Sequence, residues 1–196
     1  MNIEEILEEI EELVEKSATV PFVSHKKMVD SDRLRELISD ARMNLPQELK
    51  EAKYECLYYN AYTIGRMRYQ MAKGYHNEIK DKRNYWNALR AFTNALLYAK
   101  DGGHDFEDTY DAISNMVFAA IDSISQNEDY MLGYFDENSK CLIMMETINA
   151  NMHEIQKYIK EKYAHIRKYA VFSKYMKRWA NIYTSILQIT DDKEEN

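Results

Sequence analysis

The longest regular pattern of apolar positions runs from Ser139 to Gln188, a stretch without Gly or Pro. Apolar residues return at the two core positions of a heptad repeat, and only Lys162 and Ser173 interrupt them. Because the heptad register does not slip, the pattern predicts one long helix, or two nearly collinear ones, of roughly 70 Å. The two series are Met145, Met152, Ile159, Ile166, Ser173, Ala180 and Leu187, and Ile148, Ile155, Lys162, Tyr169, Met176 and Tyr183.

Helical spacing of apolar residues predicts five earlier helices. The first two lie before residue 46, and Pro46 begins a third that runs to about Gly74. After a polar connection over 76–83, a fourth helix begins near Tyr85 and ends at Gly102, where glycine can adopt a positive φ. A fifth is capped by Asp105. Its predicted buried residues are Phe106, Tyr110, Ile113, Val117, Ala120, Ile121 and Ile124.

The predicted fold is therefore all-α: a helical bundle organised around a long C-terminal helix, with an N-terminal two-helix segment. We expect residues 1–45 to form a helical association segment, 46–190 the helical-bundle body and 191–196 a disordered, charged tail. The first helix is amphipathic and cannot bury its apolar stripe alone. Its expected interaction residues are Ile3, Leu7, Ile10 and Val14.

Landmarks in the first 53 residues carry a resemblance. Val20-Pro21-Phe22, Met28-Val29-Asp30 and Leu45-Pro46-Gln47-Glu48 occur in an order that resembles the N-terminal segment of uncharacterised coiled-coil proteins of low-GC Gram-positive bacteria, sometimes labelled ATPase-stalk-like. The resemblance implies a bacterial origin and a helical association module, and it carries no catalytic residue across. The tyrosines from Tyr54 to Tyr69 depart from that family, which continues as a highly charged single helix.

A second, local resemblance concerns the third and fourth predicted helices. The apolar residues from Tyr85 to Leu96 look like the second helix of a tetratricopeptide repeat, and Ala61, Ile64 and Gly65 resemble parts of the first. Their separation exceeds the usual 34-residue unit, and no second copy follows. The local implication is an antiparallel helical hairpin.

Composition supports a globular helical protein. The 196 residues are 45% hydrophobic and 30% charged, and they include only 5 Gly and 2 Pro. No apolar run reaches the length of about 18 residues that a membrane helix needs. The N-terminus is acidic, whereas a secretory signal would be basic. We therefore expect a cytoplasmic protein that does not enter a membrane.

Charge is unevenly distributed along the chain. Residues 1–16 contain seven Glu and one Lys, a net charge of −6, whereas residues 157–178 contain eight Lys or Arg and one Glu, a net charge of +7. The two charged regions are complementary, so they can meet within the fold or between subunits. Alternatively, the basic region binds an outside anion. The candidate residues for an acidic partner or a nucleic acid are Lys157, Lys160, Arg167, Lys168, Lys174 and Arg178.

No motif of metal or nucleotide chemistry is found in the sequence. The histidines form no HExxH or ExxH pair, and there is no Walker motif or GxSxG. We expect no catalytic residue, no metal and no cofactor. The favoured function is a non-enzymatic scaffold or adaptor that binds protein partners and forms a homo-oligomer.

Two alternatives stay open. The first is a nucleic-acid-binding accessory protein, because aromatic residues are interleaved with the cations and could stack on unpaired bases. The second is a HEPN-like helical ribonuclease using Arg68 and His76. The seven residues between this Arg and this His exceed the spacing of that class's motif.

Overall fold

The architecture of the chain comes from a computed structural model that describes Glu9 and residues 47–74, 79–102, 105–126 and 139–194. These residues form five helices and no strand. The prediction of an all-α helical bundle is confirmed. Apart from Glu9, the predicted N-terminal two-helix segment lies outside the described residues. The helices are α1 (Gln47–Gly74), α2 (Ile79–Asp101), α3 (Phe106–Ser125), α4 (Ser139–Tyr163) and α5 (Arg167–Glu194).

Helices α1 and α2 pack as an antiparallel hairpin, as predicted. The rings of Tyr69 and Tyr85 meet at 6.0 Å, and further from the turn Tyr62 meets Phe92 at 6.5 Å. A Cβ on Gly65 would lie 2.7 Å from the Phe92 ring, so only glycine allows the two helices to approach this closely here. Helix α2 begins at Ile79, and it therefore includes charged residues that we assigned to the connection.

The junction between α2 and α3 follows the predicted capping chemistry. Gly102 has φ +133°, a conformation that favours glycine. The Asp105 side chain accepts hydrogen bonds from the backbone N–H groups of Glu107 at 2.8 Å and Asp108 at 3.1 Å. These bonds satisfy two N–H groups that lack helical partners. All seven residues predicted to face inward on this helix are buried.

The C-terminal half of the chain corrects our prediction of a long helix. One continuous helix, or two nearly collinear ones, is wrong, because the chain reverses at residues 164–166 and α5 folds back along α4. Trp179 Nε1 donates to Asn149 Oδ1 at 3.0 Å, and Gln156 Nε2 donates to Ser173 Oγ at 3.3 Å. In one straight helix, the 30 residues between Asn149 and Trp179 would span about 45 Å.

The reversal needs neither Gly nor Pro. The backbone N–H of Ile166 donates to the Tyr163 carbonyl at 2.9 Å, which closes a tight turn at the end of α4. Aromatic contacts hold the turn: Tyr163 stacks on Phe106 at 5.7 Å and meets Tyr169 at 4.6 Å. Beyond the turn, Tyr169 meets Phe106 at 6.3 Å and Tyr110 at 4.7 Å. These contacts of α5 with α3 need the chain to reverse, so tertiary packing overrides the local preference for helix.

Helices α2, α3, α4 and α5 surround a common core. Trp86 of α2 meets Trp179 of α5 edge to face at 5.9 Å, and both side chains are buried. Helix α1 packs against α2 and α3 and lies outside this four-helix arrangement. Within the described ranges, no helix is both long and apolar enough to cross a membrane.

Buried polar contacts fix the alignment of α2 and α4, which run parallel. Asn151 Nδ2 donates to Thr93 Oγ1 at 3.1 Å and to Asn94 Oδ1 at 2.7 Å. Further along both helices, Lys100 Nζ lies 2.8 Å from Glu154 Oε1. Because a buried amide without partners would be costly, this pairing favours one register of the two helices.

Candidate interaction surface

The predicted apolar anchors of the first helix, Ile3, Leu7, Ile10 and Val14, lie outside the described residues. All six predicted cations are described, and the hairpin turn divides them between two helices. Lys157 and Lys160 lie on α4, and the other four lie on α5. The uninterrupted heptad pattern implied that all six share one side of a single helix. The turn between α4 and α5 shows that this is wrong.

Lys168 lies on the side of α5 that faces α3, where it pairs with acidic side chains. Its Nζ is 3.1 Å from Asp111 Oδ2 and 3.5 Å from Glu107 Oε2. The hydrogen bond to Asp111 raises the pKa of the Lys168 ammonium group. The Lys168 carbonyl accepts a hydrogen bond from Tyr110 Oη at 3.3 Å, and burial raises the pKa of that phenol. Lys168 thus joins α5 to the start of α3.

Arg178 makes the equivalent contact near the end of α3. Its guanidinium pairs with Asp122, which also accepts a hydrogen bond from Tyr175 Oη at 3.1 Å. The Tyr175 ring stacks on Phe118 with centroids 4.2 Å apart, and Arg178 Cζ lies 5.0 Å from the Tyr175 centroid. Burial is the main reason that the pKa of the Tyr175 phenol is raised, and the hydrogen bond to Asp122 raises it further. This side of α5 thus pairs its cations within the fold.

Between these two ion pairs, a shallow groove of about 650 Å³ separates α3 from α5. Its floor is largely aromatic and includes Tyr110, Phe118 and Tyr175. Val171, which is 43% exposed, forms part of its edge. The carboxylates and the ammonium group at its rim are those already engaged in ion pairs. The groove therefore offers apolar surface with little free charge.

The opposite, solvent-facing side of the α4–α5 hairpin carries cations of a different kind. Five of them are exposed, and none forms an ion pair with any residue in the described ranges. We call this surface the outer basic face. Its members are Lys157, Lys160, Arg167, Lys174 and Lys177.

Two geometric facts bring these cations together. The two on α4 are three residues apart, and those on α5 are seven and three apart, so on each helix they lie on one side. The Gln156–Ser173 hydrogen bond sets the adjoining edges of α4 and α5 side by side. Lys160 lies one turn from Gln156 on the same side of α4, and Lys177 lies one turn from Ser173 on the same side of α5. The outer basic face therefore extends across both helices.

A shallow depression of about 360 Å³ marks the α4 part of this face. It is lined by His153, Gln156, Lys157, Lys160 and Glu161. Glu161 is the single carboxylate among these residues. The depression is open to solvent, so its charged groups remain hydrated unless a partner covers them.

The aromatic residues between the cations do not belong to the outer basic face. Phe172 and Trp179 are buried in the core, and Tyr175 stacks on α3. Tyr158 and Tyr163 pack around Phe106 at the end of the bundle, where burial raises the pKa of Tyr163 to about 12. Sequence spacing placed these rings beside the cations, whereas in the fold they point inward.

The residues considered for ribonuclease chemistry are not brought together in the described structure. Arg68 Nη1 donates to Asn84 Oδ1 at 3.1 Å in the α1–α2 hairpin, and His76 lies outside the described residues. No group of three or more His, Cys, Asp or Glu side chains able to hold a metal ion occurs in the part of the chain that the structure describes.

Comparison of the chain with protein-family models, curated proteins and solved structures finds no match.

Proposed function

We propose that this protein is a non-enzymatic α-helical scaffold or adaptor that self-associates and binds an acidic protein surface through its outer basic face. The observation that carries the proposal is the contrast between cations within α5. Lys168 and Arg178 pair with acids of α3, whereas Arg167, Lys174 and Lys177 have no such partner in the described residues. Acidic side chains of a second protein would provide those partners.

The shape of the outer basic face supports a protein partner. Two antiparallel helices form a broad surface on which a further helix can lie. Such a helix could reach the cations of α4 and α5 with carboxylates at helical spacing. The favourable energy of each contact is modest at an exposed site, about 0.2–1 kcal/mol, so several contacts must act together.

A nucleic-acid partner is the alternative, because the same five cations could follow a phosphate backbone. Single-stranded nucleic acids are usually held by base stacking on aromatic side chains as well as by charge. The aromatic rings of this region are packed inward, so that contribution is missing from the outer basic face. The net charge of −7 also disfavours long-range attraction of a polyanion. We therefore favour the acidic protein partner.

Fluorescence anisotropy with matched probes tests the proposal. One probe is a short glutamate-rich amphipathic peptide, and the others are single-stranded RNA and duplex DNA of equal formal charge. We expect the peptide to bind more tightly than either nucleic acid at the same ionic strength. Lys157→Glu combined with Lys174→Glu should weaken peptide binding at least about tenfold, or about 1.4 kcal/mol.

A matched control reverses two charges elsewhere on the chain. Lys73 and Lys162 are exposed, and neither belongs to the outer basic face. Lys73→Glu combined with Lys162→Glu makes the same change in net charge and should leave peptide affinity nearly unchanged. Equal loss in both double variants would indicate a nonspecific effect of net charge and contradict the proposal. Tighter binding of RNA or DNA than of the peptide would favour the nucleic-acid alternative.

A further inference from the structure

We propose that the outer basic face binds the acidic segment 1–16 of a second copy of this chain. The inference rests on the proposed function and names the partner that accounts for self-association. Besides Glu9, segment 1–16 carries six Glu and one Lys, and the outer basic face carries five exposed cations without ion partners among the described residues. The chain therefore contains both members of a complementary pair.

The α3 acids that lie beside α5 are already engaged, and Glu161 is the single carboxylate lining the α4 depression. Asp111 and Asp122 of α3 pair with Lys168 and Arg178, which face α3. These two acids of α3 are therefore not available to the outer basic face. Neutralising the outer basic face requires carboxylates from elsewhere, and segment 1–16 is the densest source of them in the sequence.

The groove between α3 and α5 is a less suitable site for this segment. Its rim carboxylates, Asp111 and Asp122, already pair with Lys168 and Arg178, so the groove offers no free cation to glutamates placed there. The outer basic face offers cations that have no ion partner among the described residues. Its exposed cations also occur on both helices, so they can contact successive turns of an acidic helix laid along the hairpin.

The apolar stripe of the segment explains why a second copy is needed. Between the cations, the outer basic face exposes small side chains such as Ala164 and Ala170. Of the two exposed large hydrophobic residues of the described chain, Val171 lines the groove between α3 and α5, and Ile143 lies about four turns before Lys157 on α4. A segment bound through its glutamates therefore leaves its apolar stripe uncovered.

Two such segments solve this problem together. If the stripes containing Leu7 and Ile10 pair with each other, both are buried, and the glutamates of each segment point outward to a basic face. We assign each segment to the face of the partner copy, since pairing of the two stripes brings two copies together, and the result is a symmetric dimer.

Light scattering coupled to size-exclusion chromatography of full-length protein tests this arrangement. Wild type should have twice the 23.3 kDa chain mass. One variant carries Lys160→Glu and Lys174→Glu, and a second carries Glu8→Lys and Glu12→Lys. Each variant alone should have the mass of a single chain, and an equimolar mixture should regain the dimer mass. The control Lys73→Glu with Lys162→Glu should remain dimeric. Circular dichroism verifies that every variant stays helical.

Each outcome decides the inference. If either charge variant alone keeps the wild-type mass, or wild type is monomeric, the inference is wrong. If the mixture stays monomeric while a chain carrying all four substitutions dimerises, the segment docks on its own copy, which also contradicts the inference. Failure of the dimer can be told apart from failure of the proposed function. If the Lys160→Glu, Lys174→Glu variant keeps the wild-type mass but no longer binds the separate acidic peptide, the proposed function stands and only the dimer is rejected.

Discussion

Two groups of cations on helix α5 use the same residue types for different purposes. On the side facing α3, Lys168 and Arg178 are held by carboxylates and by aromatic rings. On the solvent side, Lys174 and Lys177 are exposed and pair with no residue in the described ranges. The residues that the fold places beside a lysine or arginine therefore determine whether it connects two helices or remains available to a partner.

The comparison also separates stability from binding. Ion pairs at partly exposed positions stabilise a fold only modestly, because water and salt weaken them. The buried aromatic residues beneath them contribute more, since they remove large apolar areas from water. We therefore expect substitutions on the α3-facing side to change mainly the free energy of unfolding, and substitutions on the outer basic face to change mainly binding.

The largest effect is expected from Phe172→Ala. Phe172 is 1% exposed and contacts Tyr110 and Phe118 of α3. Its truncation should lower the free energy of unfolding by about 3–5 kcal/mol, because it removes buried apolar contacts and leaves a cavity. Chemical denaturation measures the change. The neighbouring control Lys174→Ala should stay within about 0.5 kcal/mol. Comparable losses in the two variants would contradict the division between the sides of α5.

Alkaline pH should next weaken the α3-facing side. Burial raises the pKa of Tyr110, Tyr163, Tyr169 and Tyr175 above the ordinary value of 10.0, and Tyr163 reaches about 12. Above pH 10.0 the unfolded chain releases these protons first, so the unfolding free energy falls with rising pH. The stabilisation is complete below about pH 10 and is lost through the folded-state pKa values.

Phenolate absorbance and helical circular dichroism, recorded together across this pH range, check the prediction. We expect part of the tyrosine titration to coincide with loss of helix. A Tyr110→Phe variant removes one such phenol and should reduce the slope of unfolding free energy against pH. Complete titration of all tyrosines near pH 10 without loss of structure would show that their burial does not stabilise the fold.

A smaller effect is expected from neutralising the paired cations. Lys168→Gln with Arg178→Gln should lower the unfolding free energy measurably but far less than Phe172→Ala does, and high salt should diminish the difference from wild type. The matched outer pair, Lys174→Gln with Lys177→Gln, should change stability by less than about 0.5 kcal/mol. Urea titrations at low and high salt measure both. A larger loss of unfolding free energy from the outer pair would contradict the stabilising role that we assign to Lys168 and Arg178.

Local sequence signals predicted the helices that follow local rules. The Asp105 cap and the seven buried positions of α3 are correct because capping and helical periodicity depend on nearby residues. The α1–α2 hairpin is also correct, and Gly65 provides its close approach to Phe92.

The reversal at residues 164–166 was missed because its cause is not local. It depends on Phe106 and Tyr110 of α3, which are remote in sequence and pack on Tyr169 beyond the turn. The only irregularities in the heptad pattern, Lys162 and Ser173, flank the turn. Beyond it the core positions shift: Phe172, Trp179 and Ile186 are buried, whereas the predicted core residue Ala180 is exposed.

The outer basic face could be predicted only in part, because local spacing does not show which element a helix side faces. Four of its five cations were identified from composition and spacing, but Lys177 was omitted. Lys168 and Arg178 were included although they face α3. Sequence spacing gives the side of a helix on which a residue lies. It does not give the element that this side faces.

The most direct test of the central claim compares binding by two double variants with equal loss of charge. Isothermal titration of an acidic amphipathic peptide would be performed on Lys157→Gln with Lys174→Gln and on Lys168→Gln with Arg178→Gln. We expect at least about a tenfold loss of affinity for the first double variant and less than about a threefold loss for the second. Equal affinities in the two variants, or a greater loss in the second, would contradict the claim that the outer basic face is the binding surface.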